Sequence, residues 1–386
     1  VTPFALADEF DDSTVGASKE DLEVIVVSGS RTEKALKDVA GSISVISQED
    51  IEKQVVNDMS QLFKYDPSVQ VTGSVGKAQN FTVRGMGGDR VLIIKDGMRM
   101  NEGYGADGLN DIVGRGFIDT DTLKQVEVAK GAASSLYGSD ALGGIIVFTT
   151  KDASDYITGD ETLAGKLKTG YSDNSRQYTL GGTLATVAGD FEHLFNGTLR
   201  DGEEAQNFVE SEDPFEIESY SLLYKGKYNI NESDYLSLTV DLWEQEAKGD
   251  SADGLLAYFR GLAAYGYVVD TENSSTKQTT DSFKLSYHSK TKTALYDQLN
   301  VNLYSNTNEQ IDKEYALLDI NAPMFGTVEM RDMFKDSTYE QDTVGFLSNA
   351  SLTINETHTI GYGLDIEKSE SKRHEFKLYE VEGTPK

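Results

Sequence analysis

From about residue 160 onward, apolar and polar residues alternate with a period of two. In TIGYGLDIEK, Ile360, Tyr362, Leu364 and Ile366 fall on one face, with glycines and acids on the other. DYLSLTVDLW repeats the pattern with Leu236, Leu238, Val240 and Leu242, and DSFKLSYHSK with Phe283, Leu285 and Tyr287. This period argues against helices and predicts strands of roughly ten residues, each with one apolar face. No apolar run approaches the ~18 residues of a spanning helix, so a membrane role requires a β-barrel or peripheral attachment. A water-soluble sandwich shares the alternation with a barrel that faces lipid outside and water inside.

Loop lengths separate these two architectures. About nine strands are predicted, near 162–172, 175–187, 190–201, 216–228, 233–246, 279–290, 295–309, 338–354 and 357–370. Their connections alternate between short turns, at 188–189, 229–232, 291–294 and 355–356, and long polar segments, at 202–215, 247–278 and 310–337. Short turns on one rim and long loops on the other are the asymmetry of outer-membrane barrels. A sandwich has no reason to segregate them.

Before residue 156 the pattern is α/β. VTPFALADEF contains Ala5-Leu6-Ala7 ahead of Asp8, the small-x-small form of a signal-peptidase site, so 1–7 is read as a signal-peptide remnant. Residues 8–21 are acidic and featureless, and LEVIVVS at 22–28 is a β-prone run without a neighbour. Ser47 is placed to cap a helix with Asp50 at its third position, and Ile51, Val55 and Met59 continue at helical spacing until Asp66-Pro67 ends it. Strands are predicted at FTVRG, VLIIKDG, VEVAKG and IIVFTT.

Several chemistries are disfavoured. Acidic residues outnumber basic ones by 65 to 35, and a charge of −30 repels nucleic acid. There is no cysteine, and the four histidines, His193, His288, His358 and His374, form no HExxH or close pair, so no resident metal or other intrinsic cofactor is expected. The glycine-rich GAASSLYG at 131–138 lacks the lysine of a phosphate loop and precedes a strand instead of a helix; RGMGGD at 84–89 fails as a dinucleotide turn for the same second reason. No nucleophile with its base and orienting group is visible, so an enzyme is not expected.

DLEVIVVSGSR, DVAGSISVISQEDI, LFKYDPSVQV, FTVRGMGGDRVLIIKDGMR and LKQVEVAKGAASSLYGSDALGGIIVFTTK resemble, in order and spacing, the plug of TonB-dependent outer-membrane receptors. The resemblance is continuous over 22–151, and ADGLNDIVGRGFIDTDTLKQVEVAKGAASSLYGSDALGG looks most like the heme, hemoglobin and transferrin-type branch. It implies an antiparallel membrane β-barrel of about 22 strands with an N-terminal α/β plug in its lumen. The expected division is 8–29 as a flexible segment, 30–155 as the plug and 156–386 as the N-terminal part of the barrel. Nine strands fall short of that barrel, so the chain is expected to be a fragment.

The resemblance also implies roles. Glu23, Val24, Ile25, Val26 and Val27 stand at the TonB-box position, where an extended segment adds to the sheet edge of the TonB protein. Arg84 and Lys130 match plug cations that face carboxylates on the barrel wall. Outward-pointing plug segments at 73–80 and 99–110 supply ligand contacts from Arg99, Asn101 and Tyr104, and His374 is expected at the outer rim after the ninth strand. The implied function is TonB-driven import of heme, or of iron from a host protein, across the bacterial outer membrane. The alternatives are a ferric-siderophore receptor, and an adhesin or docking protein without import. Outer-membrane lipid is the remaining expected partner.

Overall fold

A computed structural model describes residues 25–26, 34–35, 42–73, 75–100, 114–131, 141–205, 214–251, 259–355 and 358–381. The two-residue strands β1 (Ile25–Val26) and β2 (Lys34–Ala35) pair antiparallel. The plug that follows contains β3 (Ser42–Ser47), α1 (Gln48–Lys53), α2 (Met59–Leu62), β4 (Val69–Thr72), β5 (Asn80–Val83), β6 (Val91–Lys95), β7 (Met98–Arg99), β8 (Leu123–Lys130) and β9 (Gly144–Thr150). Its main sheet runs β3-β8-β9-β6-β7, with β6 and β9 parallel, and β4 and β5 form a separate hairpin.

The VLIIK and GIIVFTT runs are β-branched and almost wholly buried, as strands covered on both faces should be. Val91, Ile93, Ile146 and Phe148 on one face, with Phe81 and Leu123, pack against Ile51, Met59 and Leu62 from the helices, while Leu92, Ile94, Ile145 and Val147 on the other face cluster with Ala129 and Ala141. Ser47 caps α1 through the expected capping box with Asp50. The long helix predicted beyond it is instead two short ones. Val55 is exposed with a left-handed φ of +50°, and Asp58 starts α2 by accepting hydrogen bonds from the Ser60 and Gln61 amides. Asp58 competes for the chain as a new N-cap, which apolar spacing alone does not reveal.

Nine antiparallel strands follow in sequence order: β10 (Leu163–Ser172), β11 (Gln177–Ala188), β12 (Phe191–Glu203), β13 (Glu216–Asn229), β14 (Asp234–Gly249), β15 (Tyr267–Ser289), β16 (Gln298–Ala322), β17 (Thr327–Asn355) and β18 (His358–Val381). Among the described residues they form one open sheet, with β10 and β18 as its two ends. The alternation has the expected polarity. Leu236, Leu238, Phe283, Leu285 and Ile366 are exposed on the outer face, whereas Thr239, Asp241, Thr280, Ser282 and Asn306 are buried on the inner face. Wall residues hydrogen-bond to plug residues, for example Thr280 to the Phe117 carbonyl, so the plug packs on that inner face.

Two of the three predicted long connections are shorter than expected. The fifth spans only 250–266, and the seventh is the tight turn 323–326 between strands of 25 and 29 residues. Ala316, Leu318, Ile320 and Ala322 alternate through the supposed loop and cluster with Met333, while Phe259, Tyr267 and Val269 pack against them. Pro323 and Gly326, the latter at φ +76°, close the turn. Polar composition concealed this outer part of the hairpin, because water on one side and a small apolar cluster on the other suffice for strands.

Candidate functional site

Among the described residues, two buried charged clusters bind the plug to the wall, and the first is the tip of the β6–β7 hairpin. Asp96 and Gly97, at φ +48° and +84°, make a two-residue turn of the type that Asp-Gly favours, with Lys95 opposite Met98. The turn projects two charges onto three consecutive barrel strands. Lys95, fully buried, ion-pairs with Asp241 of β14. Lys225 of β13 lies 3.8 Å from the Asp96 carboxylate and 3.3 Å from that of Asp152, and donates to the Thr150 carbonyl at 3.1 Å. Lys284 of β15 donates to the Asp96 carbonyl at 2.7 Å. Burial pushes the Asp96 carboxyl up, but Lys225, Lys284 and two hydrogen bonds from Thr150 outweigh it and hold the group well below the usual carboxylate range.

The second contact is the 3-10 turn Thr120–Thr122, within the IDTDTL sequence. Arg200 of β12 donates at 2.7 Å to Asp119 and at 2.7 Å to Asp121. Ser221 of β13 donates to Asp119, and Lys168 of β10 lies 2.6 Å from Asp121. Burial would raise the Asp119 pKa; the Arg200 charge and the donated hydrogen bonds hold it at about 2. Arg200 and Asp119 are both buried, so loss of either partner strands a charge in the lumen.

Neutral contacts fix the feet of the outward segments. Gln245 accepts from the Gly76 amide and Gln310 from the Gly114 amide, each at 3.0 Å. Gly76, at φ +83°, sits so close to β14 that a Cβ there would lie 2.7 Å from the Ala247 Cβ. Val75 packs on Phe215, Ile217 and Ala247, and the Lys77 ammonium lies 3.9 Å from the Phe215 ring centroid. Phe117 meets Trp243 edge-on, with centroids 6.2 Å apart.

The expected site residues fall in several places. Ile25 and Val26 are strand-paired with Ala35 and Lys34, while Glu23, Val24 and Val27 lie outside the described residues, as do Asn101, Tyr104 and 1–7. Arg84 and Lys130 do not meet wall carboxylates among the described residues. Arg84, in a left-handed turn at φ +51°, donates to Ser42 at 3.2 Å, and Lys130 pairs with Asp66 of the plug itself at 3.0 Å. Burial raises the Asp66 pKa, but hydrogen bonds from Ser44, Ser68 and Lys130 bring it to about 2. Arg99 ends β7 and lines a cavity between plug and wall. His374 is not beyond the ninth strand but within it, exposed and opposite Thr338, because β18 continues to Val381.

The contacts that dominate were thus not singled out from sequence. Their polarity is also largely reversed, since most of the carboxylates stand on the plug and most of the cations on the wall. Two signals are present in the sequence: a Lys-Asp-Gly run closing an apolar strand, and Arg200 and Lys225 at the inner-face period of β12 and β13, after the largely uncharged positions Leu194, Asn196, Thr198 and Ser219, Ser221, Leu223.

Residues 35–145 match the family described as TonB-dependent Receptor Plug Domain. Hemoglobin-binding protein A of Haemophilus influenzae is 30% identical over 307 residues, covering 73% of this chain and 30% of that protein. Hemoglobin and hemoglobin-haptoglobin-binding protein B of the same organism is 30% identical over 329 residues, covering 77% and 30%. The chain therefore spans about 30% of the length of these curated relatives. Among solved structures, the FrpB iron transporter from Neisseria meningitidis aligns with a TM-score of 0.58 at 17% identity, covering 88% of this chain and 62% of that one. FpvA of P. aeruginosa, solved with a heterologous pyoverdine, aligns with a TM-score of 0.56 at 12% identity, covering 92% and 55%. Identities this low speak for the fold alone. With its matched plug domain seated on consecutive strands of a barrel wall, the chain belongs to the TonB-dependent receptors, an outer-membrane β-barrel class.

Proposed function

We propose that this chain is the N-terminal part of a receptor that captures hemoglobin or heme at the outer membrane and imports heme, or its iron, into the periplasm with energy from TonB. The observation that carries the ligand is the 30% identity, over about three quarters of this chain, to proteins named for binding hemoglobin. The energy requirement follows from the plug. Buried pairs at Lys95–Asp241 and Arg200–Asp119 must be broken to open a path, and nothing among the described residues suggests a hydrolysable energy source. Ile25 and Val26 offer main-chain groups for strand addition to TonB once they leave Lys34 and Ala35. The exposed apolar outer face suits lipid, and no catalysis is proposed.

The test is growth of a heme-requiring, TonB-proficient strain carrying the full-length receptor, with hemoglobin as its only heme source. Growth that disappears without TonB supports the proposal. TonB-independent growth refutes energised import, and failure on hemoglobin and hemin with uptake of a ferric siderophore moves the ligand to the alternative class.

A further inference from the structure

The two barrel lysines at the β6–β7 hairpin are held by the plug. Lys225 faces the Asp96 and Asp152 carboxylates, and Lys284 holds the Asp96 main chain and feels both charges. Of the wall acids around the site, Glu192 is engaged by Lys227 at 3.0 Å and by Asn229 at 2.7 Å, Asp241 by Lys95, and Asp365 of β18 lines the cavity described next. Beside the lysines lies a cavity of about 410 Å³, bounded by the plug hairpin on one side and by wall residues near the short turns on the other. Its wall includes Arg99, His288 and Tyr235, the last two stacked with centroids 4.7 Å apart. Short turns mark the periplasmic rim, so the cavity lies between the seated plug and the exit.

We propose that Lys225 and Lys284 form a carboxylate-receiving site, which Asp96 occupies while the plug is seated and which a carboxylate-bearing iron chelate occupies as it leaves. When the hairpin moves, Asp96 leaves both lysines while Lys225 keeps Asp152, so the cation left without its anion is Lys284. The adjoining wall offers Lys284 the neutral hydroxyls of Ser237, Thr239 and Ser286, and the Asp241 carboxylate that Lys95 vacates stands two residues beyond Thr239 on the same strand. Stranded buried charge is unfavourable, and an incoming carboxylate relieves it. A planar chelate with two carboxylates matches two ammonium groups beside a ring-stacked histidine and tyrosine. The cations that lock the plug thus become the next station for the cargo, so release of the lock and acceptance of the ligand occur at the same atoms. This inference rests on the proposed import of heme.

Substitution can separate locking from receiving. Asp96→Asn removes the carboxylate that occupies the site and keeps the receiving lysines, whereas Asp96→Asn with Lys225→Gln and Lys284→Gln removes both. The full-length receptor is assayed in TonB-proficient cells for hemin uptake, expressed per hemin bound at the surface of matched TonB-deficient cells. The triple variant is expected to take up at least ~10-fold less than Asp96→Asn, and Lys225→Arg with Lys284→Arg in the Asp96→Asn background to match Asp96→Asn, since guanidinium keeps the charge. Equal uptake by Asp96→Asn and the triple variant overturns the inference while import stands. Absence of surface hemin binding by the wild type removes the import proposal, and the inference with it.

Discussion

Replacing Arg200 with methionine tests whether buried charge holds the plug. The substitution keeps an apolar stem of similar reach and deletes the cation that donates at 2.7 Å to both Asp119 and Asp121. Asp121 retains Lys168 at 2.6 Å, and Asp119 retains Ser221 and the Asp121 amide, so the stranded charge is chiefly that of Asp119. Breaking a buried pair from one side costs about 3–5 kcal/mol, and the surviving partners favour the lower end. About 3 kcal/mol corresponds to roughly 100-fold in a local opening constant. Amide hydrogen exchange of the full-length receptor at constant pH should show that loss of protection across 114–128, with the β13–β14 ladder unchanged. Adding Asp119→Asn should recover part of it, because no carboxylate is then left unpaired. Unchanged exchange in the single variant, or no recovery in the double, would refute the reasoning. The linked pH dependence has a definite sign. Asp119 titrates at about 2 in the folded protein, below its ordinary 3.8, so its contribution is complete above the ordinary value and lost as pH falls through about 2. Without Arg200 burial dominates and the loss should begin at higher pH.

Other perturbations give separate outcomes. Ile25→Pro, which cannot donate to an added strand, should abolish uptake and leave surface ligand binding intact, as measured in the same cells. Gly76→Ala places a methyl 2.7 Å from the Ala247 Cβ at a φ of +83°, and should weaken ligand binding at the cell surface by displacing the segment that Gln245 holds. Lys166→Gln breaks an ion pair with Glu52 in which both side chains are about 40% exposed, so it should change plug protection by under ~1 kcal/mol. Asp66→Asn should destabilise the plug at neutral pH and flatten its acid sensitivity between the ordinary carboxylate value and about 2, followed by exchange at Ser44 and Ser68.

The alternation of Leu236, Leu238 and Phe283 made the wall legible, since period two and a wet inner face admit few architectures. The plug strands were equally legible as apolar β-branched runs. What failed was local competition and long-range pairing. Val55 continues a helical spacing that Asp58 interrupts, and the stretch 310–337 looks like a loop until its alternate residues find Phe259 and Tyr267 to cover them. Arg84 and Lys130 were placed against the wall by family position, but Ser42 and Asp66 lie nearer in space. The Asp96 contacts with Lys225 and Lys284 join residues more than a hundred positions apart in sequence, a distance that no spacing rule bridges.

The hairpin formed by β16 and β17 has a mechanical consequence. A tilted strand needs only about 9–11 residues to cross the bilayer core, so more than half of β16 extends beyond it, roughly 45 Å at about 3.3 Å per residue. Cross-strand hydrogen bonds make that extension a stiff outrigger where a loop of equal length would be a slack tether, and its tip, with Met324 88% exposed, is carried well clear of the lipid headgroups. A large ligand touching the tip would meet a surface whose conformational entropy was already lost on folding, so little further ordering opposes the first encounter. Its standoff from the mouth would leave room for a bulky carrier to be gripped while a small cargo is drawn from beneath it.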